Sequence, residues 1–283
     1  MFVVLQIIRR NTKGLFGALR AMLAAPKVYL ESGSCMGARF AIVKAEDHGK
    51  GIDWDGVESA CGHFVDKVLL PEGITPPPES KIKNPRLEKF DTKVLVRTAC
   101  ALIAQTRMPM YRRILGLIDY EARYTDMLHE LLAHFTSIQV VTRDTERYGA
   151  EARRMMRALG APVLVSNNLS ALSDCVLVLS PAPLLQAEAT LSCPVLASGP
   201  LKLHTNSTVI TGLRIPPGPD LLSGMPKNLD PHFFAGALYE FCGLEPDSFA
   251  AGKMLLNHRI STLPEAAGAI VSAAGIDSRI LTS

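Results

Sequence analysis

The sequence predicts an α/β protein built on a doubly wound, mostly parallel sheet, with a smaller α+β domain before it. Three observations carry that prediction. Between residues 113 and 183, short apolar runs alternate with amphipathic stretches, the repeating unit of strands joined by crossover helices. The run at 113–119 is short and apolar, as a strand covered on both faces is, and those at 137–142, 162–165 and 175–179 read as further strands. Helix boundaries are marked by chemistry: Asp144 or Thr145 can cap a helix start, Gly160 suits its left-handed end, and Pro162 blocks continuation.

The elements follow in order. Residues 2–8 form an apolar strand, too short to span a bilayer and without a basic stretch before it. Asn11 or Thr12 can cap a short helix through Met22, and Pro26 ends that region. Residues 27–31 and 38–44 read as strands joined by a Gly33–Gly37 hairpin loop; as a phosphate cradle that loop lacks a following helix. Asp53 caps a helix to about Gly62, and 65–70 is another strand. Residues 71–88 hold the triplet Pro76-Pro77-Pro78 with Pro71, Gly73 and Pro85, and read as an exposed connector. The expected division is therefore 1–88, a small α+β domain with its Pro-rich connector, and 89–283, a Rossmann-like domain with C-terminal helices.

In the second part, Asp91 or Thr92 caps a helix whose inner stripe holds Val94, Leu95, Thr98, Leu102 and Ile103. After the strand at 113–119, the spacing of Tyr124, Met127, Leu128, Leu131, Leu132 and Phe135 predicts a helix over 121–135. The helix after Asp144 is expected to bury Tyr148, Ala152, Met155, Met156 and Leu159. Residues 194–197 and 208–211 continue the strand series. Asp230-Pro231 opens a helix that buries Phe233, Phe234, Ala237, Leu238 and Phe241 and ends at Gly243; a last helix covers 263–274. Right-handed crossovers place the 113–119 strand between those at 137–142 and 175–179, so the switch point falls at the Asp119 and Ser180 loops.

Composition narrows the function. A formal net charge of +3 is too small to argue for nucleic acid, no basic run supports it, and no nucleic-acid partner is expected. No segment reads as membrane-spanning. The 6 cysteines form no CxxC pair, which points to reduced thiols and a cytoplasmic location. The 7 histidines show no metal spacing, no GxSxG elbow is present, and no metal site or catalytic set is expected.

The candidate site is the strand-end set Asp119, Thr142, Arg143, Ser180 and Pro181. Val140-Val-Thr-Arg-Asp144, followed by Leu172-Ser-Asp-Cys-Val-Leu-Val-Leu-Ser-Pro181, resembles the NADP-binding domain of shikimate dehydrogenases and glutamyl-tRNA reductases. The resemblance implies Arg143 at the 2′-phosphate of NADP and Ser180-Pro181 near the nicotinamide. Read without it, Arg143 is a solvated strand-end residue paired with Asp144 or Glu146, and Ser180-Pro181 is a turn. The sequence departs from that family after the first strand. G-x-G-x-x-G is replaced by Gly116-Leu-Ile-Asp-Tyr-Glu-Ala-Arg-Tyr124, which brings Asp119 and Glu121 to the place pyrophosphate needs. Asp119 is expected to cap a helix starting near Tyr120 and to fill that anion site. The expected function is a small-molecule-binding or interaction module without conventional dehydrogenase activity; the alternative is an NADP-dependent oxidoreductase of shikimate-dehydrogenase type.

Overall fold

The computed structural model describes residues 1–9, 27–47, 51–184, 190–202, 204–205 and 208–275. The helix expected over 11–22 lies outside them. In chain order, β1 (Val3–Arg9), β2 (Val28–Cys35), β3 (Ala38–Asp47), α1 (Trp54–Cys61) and β4 (Val68–Leu69) come first. α2 (Glu88–Gln105), β5 (Ile114–Ile118), α3 (Leu128–Leu131), β6 (Ser137–Val141), α4 (Thr145–Leu159), β7 (Val163–Ser166) and β8 (Leu177–Ser180) follow. Next are β9 (Thr190–Leu191), β10 (Val195–Ala197), β11 (His204–Thr205) and β12 (Val209–Arg214). The chain then forms α5 (Pro219–Gly224), α6 (Pro231–Cys242), β13 (Lys253–Leu256), β14 (Arg259–Thr262) and α7 (Leu263–Ala273).

Two compact units are present, one of Met1–Phe90 with Pro217–Asp247 and one of Asp91–Pro216 with Ser248–Ser283. A single break near residue 88 does not anticipate the return of 217–247 to the first unit. Its physical reason is α6. Phe2 stacks on Phe40 with ring centroids 5.3 Å apart, and Phe234 of α6 meets both rings edge-on at 6.0 and 5.3 Å. Side chains alternate along β1, so Val3 and Leu5 face the other way and pack with Val57 and Cys61 of α1. α6 itself begins as its sequence directs: the Asp230 carboxylate accepts from His232 N at 2.8 Å and Pro231 opens the first turn. Phe233, expected inside, is 44% exposed.

The first unit's sheet runs in the order β2-β3-β1-β4, with β3, β1 and β4 parallel and β2 antiparallel to β3. The β2–β3 turn is shorter than expected. Cys35 pairs with Ala38 across Met36 and Gly37, both with positive φ, while Gly33 lies within the strand. A β-carbon at Gly33 would sit 2.5 Å from Phe40 Cε2, so this glycine makes room for the aromatic cluster.

Residues 71–88 are not a free connector. The Glu58 carboxylate accepts from Ser80 Oγ at 2.7 Å and from Lys81 N at 2.8 Å. Lys83 N donates to Val65 O, Asn84 Oδ1 accepts from Leu70 N, and Ile82 and Leu87 are buried. The prolines stiffen an extended strap, but its buried Ile82 and Leu87 side chains and these bonds hold it on the first unit.

The second unit carries an eight-stranded sheet in the order β14-β13-β12-β10-β8-β5-β6-β7. Its six parallel strands, counted in chain order from β5, lie 3-2-1-4-5-6, the doubly wound Rossmann arrangement. The β13–β14 hairpin extends the sheet antiparallel beyond β12, turning at Asn257 and His258, both with positive φ. The fold is thus α/β with a mixed sheet, flanked by helices.

Two helices depart from expectation. Over 121–135 only one α-turn forms, preceded by a 3-10 turn at Thr125–Met127. Met127, Leu128, Leu131, Leu132 and Phe135 are nonetheless buried, so the apolar stripe packs without a regular helix. α4 has its Asp144 cap and left-handed Gly160, but Met156 and Leu159 are 49% and 46% exposed; its buried residues are Tyr148 and Met155.

Among the described residues, no helix is long and apolar enough to cross a membrane, and no group of three or more His, Cys, Asp or Glu residues could hold a metal ion. All six cysteines are free. Burial pushes the Cys61 thiol up to about 11 and the Cys100 thiol up to about 12. Native protein at about pH 8 should therefore react slowly at these positions with a thiol reagent, because the thiolate is the nucleophile. Denatured, unreduced protein should titrate all six; four or fewer would show disulfides.

The strap makes a second prediction. Hydrogen bonds from the Ser80 hydroxyl, and then from Lys81 N, lower the Glu58 pKa below its usual value of 4.5. A carboxylate lowered on folding stabilises the fold fully above its unfolded pKa, and that contribution is lost as pH falls through the folded value. Between about pH 6 and about pH 3.5, the denaturation midpoint of the parent should fall more steeply than that of Glu58→Gln. Parallel curves would show that the strap does not depend on this charge.

Candidate functional site

The sheet's switch point lies between the carboxyl ends of β5 and β8, where the chain leaves β5 for β6 on one side and later returns to β8 on the other. A cleft of about 320 Å³ opens there, lined by residues that include Asp119, Tyr120, Arg123, Arg143, Ser180 and Leu184. Ligands of open α/β sheets bind in such crevices.

Asp119 follows β5 directly and is only 2% exposed. Its backbone N–H donates to Val141 O at 3.0 Å, tying the end of β5 to the end of β6. Its carboxylate does not cap a helix at Tyr120, as the sequence suggests, because no helix begins there. Oδ1 accepts from Arg123 N at 3.1 Å, and Oδ2 accepts from Tyr124 N at 2.8 Å and from Tyr148 Oη at 2.6 Å. The segment 119–124 is a tight loop closed around this carboxylate. Ala122 N donates to Asp119 O at 3.2 Å, and Ala122 takes φ of 50°, an uncommon left-handed conformation for alanine. Burial, reinforced by the Asp119 charge and hydrogen bond, holds the Tyr148 phenol well above its usual range, so it stays a donor.

Arg143 stands at the end of β6 and is exposed on the cleft's rim. Its guanidinium lies over the Tyr120 ring, 5.1 Å from the centroid, and its N–H donates to Tyr120 O at 3.1 Å. Burial raises the Tyr120 pKa, and the nearby Arg143 charge lowers it in part. Arg123 and Glu121 pair with each other on the exposed side of the loop. An Arg143 pair with Asp144 or Glu146 is not what forms; the tyrosine ring takes that place.

Ser180 lines the cleft, is buried, and donates from Oγ to Ala182 O at 3.0 Å. The other two strand-end residues do not line it. Thr142 is buried, and its Oγ1 accepts from Asp144 N at 3.2 Å, setting up the α4 cap. Pro181 is buried and its carbonyl accepts from Ser198 Oγ. The structure therefore brings Asp119, Arg143 and Ser180 together around one space and gives Thr142 and Pro181 supporting positions.

Gly116 has no part in the cleft. A β-carbon there would lie 2.8 Å from Val178 Cγ2 and 3.1 Å from Leu172 Cδ2, so the glycine allows close packing inside the sheet layer. Sequence reasoning missed Tyr148 as a partner of Asp119. It sits at helical spacing among apolar residues, and its hydroxyl was the one signal that a polar contact awaited it.

Neither a protein-family model nor a curated protein matches this sequence. Solved structures that resemble it include Δ1-pyrroline-2-carboxylate reductase of Thermococcus litoralis in complex with NADH and L-proline, 14% identical, with a TM-score of 0.29. That match covers 39% of this chain and 36% of the reductase chain. L-tryptophan dehydrogenase of Nostoc punctiforme is 12% identical over 96% of this chain and 79% of its own, with a TM-score of 0.32. The strand order itself defines the second unit as a Rossmann-like α/β module. The narrower resemblance to shikimate dehydrogenases and glutamyl-tRNA reductases rests on the sequence motifs alone.

Tyr148→Phe removes one donor from the buried carboxylate and leaves the ring's packing intact. It should lower stability by about 1–3 kcal/mol, measured by urea denaturation. A change within error would mean that Asp119 is held by its two backbone donors without help.

Proposed function

We propose that the second unit is a small-molecule-binding module whose ligand occupies the switch-point cleft, and that it does not hold a dinucleotide in the manner of a glycine loop. The single observation that carries this reading is the Asp119 carboxylate. In a glycine-loop site, backbone N–H groups at the first strand-to-helix turn meet the pyrophosphate. Here the N–H groups of Arg123 and Tyr124 are engaged by Asp119, and no helix N-terminus faces the cleft from that turn. An incoming diphosphate would meet a carboxylate where it needs donors.

The cleft still suits a ligand. About 320 Å³ is at the lower end of small-molecule sites. Tyr120 and Leu184 offer apolar surface, and Arg143 offers a planar cation that pairs with a carboxylate or a single phosphate. The ligand class is therefore a small anion with a flat or apolar body. No residue in the cleft is assigned a catalytic role.

One observation favours a second reading, an NADP-dependent oxidoreductase. Arg143 stands at the end of the second parallel strand and on the cleft's rim, where the sequence resemblance puts the 2′-phosphate contact. Calorimetric titration of the full chain with NADPH and NADH separates the two. The expected result is no saturable binding of either at sub-millimolar concentration. Micromolar NADPH affinity that disappears in Arg143→Glu would overturn the proposed reading and establish the second.

A further inference from the structure

The first unit has a switch point of its own. β1 lies between β3 and β4, all three parallel, and the chain reaches β3 on one side before crossing to β4 on the other. β4 pairs only with Val3 and Val4, so β1 runs on past its partner through Ile7 to Arg9. Beside this overhang is a cavity of about 480 Å³. Ile7 and Arg9 form one wall, and Glu72 and Ile74, just after β4, form another. Lys227 and Asn228, from the turn between α5 and α6, complete it. Asn228 takes φ of 67°, a left-handed conformation that asparagine tolerates better than most residues.

The charges around this cavity do not cancel. Arg9 and Lys227 contribute two positive charges and Glu72 one negative. Among the described residues, neither cationic side chain has an ion-pair or hydrogen-bond partner. Two cations converging on one concave space repel each other and raise the local concentration of anions. Glu72 offsets one of them, so a monoanion neutralises the lining, whereas a dianion leaves it one negative charge in excess and costs more to strip of water. Ile7 and Ile74 provide apolar contact for the rest of the ligand.

We propose that this cavity binds a small monocarboxylate, with Arg9 and Lys227 on its carboxylate, Ile7 and Ile74 against its apolar body, and Glu72 selecting against dianions. The site is separate from the Asp119 cleft and independent of the function proposed for it. The test uses the full chain at constant ionic strength, titrated with isovalerate and separately with inorganic phosphate at about pH 8, where phosphate is mostly the dianion. The readout is the backbone amide chemical shifts of Ile74 and Asn228. Isovalerate should shift both resonances saturably, and phosphate should bind more weakly. Arg9→Gln and Lys227→Gln should each weaken isovalerate binding by about tenfold, the loss of one charge-assisted hydrogen bond. Lys253→Gln, on the exposed hairpin of the second unit, should leave it unchanged. Glu72→Gln should strengthen phosphate binding. No saturation with isovalerate, equal weakening by Lys253→Gln, tighter phosphate than isovalerate in the parent, or weaker phosphate in Glu72→Gln would each overturn the proposal.

Discussion

The buried Asp119 carboxylate governs the switch-point end of the second unit. A carboxylate removed from water is costly unless its lone pairs are met, and here three donors meet them. Two are backbone N–H groups of its own loop, and the third is the Tyr148 hydroxyl from the first turn of α4. Its own N–H reaches the end of β6. One residue thereby fixes the end of the central strand, the next strand and the helix behind it. The left-handed Ala122 is the local conformational cost of wrapping the loop tightly enough to present those N–H groups inward.

That arrangement also decides what the fold can receive. A doubly wound sheet offers a crevice at the switch point whatever its loops contain, because the chain leaves the first strand in opposite directions. The loop determines the chemistry of the crevice. Glycines would leave backbone donors open to a ligand's phosphates. Asp119 turns the same donors inward and satisfies them within the protein, so under the proposed function recognition would pass to the side chains at the rim, Arg143 above all. Its stacking on Tyr120 restrains the guanidinium, which would reduce the entropy lost on pairing with an anion.

The sheet was legible in the sequence because its central strand reads as a short apolar run and helix caps mark the segments between the strands; 113–119, 137–142 and 175–179 each appear as a strand in the expected order. What could not be read was geometry set by tertiary contact. The stripe from Met127 to Phe135 has helical spacing, but the Asp119 loop consumes the residues that would have begun the helix, leaving one α-turn. The β13–β14 hairpin escaped notice because Lys253–Leu256 and Arg259–Thr262 are short and turn on Asn-His rather than on glycine. Gly33 looked like a turn or phosphate-loop glycine and Gly116 like a lone glycine within its strand; both prove to be places where a neighbouring side chain fills the space of a β-carbon. Asp119 itself was read as filling the anion position, but its Tyr148 partner was not seen, since a contact across 29 positions leaves no local pattern.

The two units solve the same topological problem in opposite electrostatic senses. Each has a parallel strand whose carboxyl end opens at a reversal of chain direction, and each places a charged residue there: Asp119 after β5, and Arg9 at the end of β1. A carboxylate at such a place finds donors in the backbone of the adjoining loop and can be buried, as Asp119 is. A guanidinium only donates, so backbone N–H groups cannot serve it; it needs acceptors and stays at the surface when too few converge on it. Arg9 is exposed, and Glu72 and Lys227 line the other walls of its cavity. The first arrangement closes a loop on itself, while the second leaves positive charge turned toward whatever enters. The sign of one side chain at each strand end thus separates a site whose donors serve the fold from one whose donors are available to a ligand.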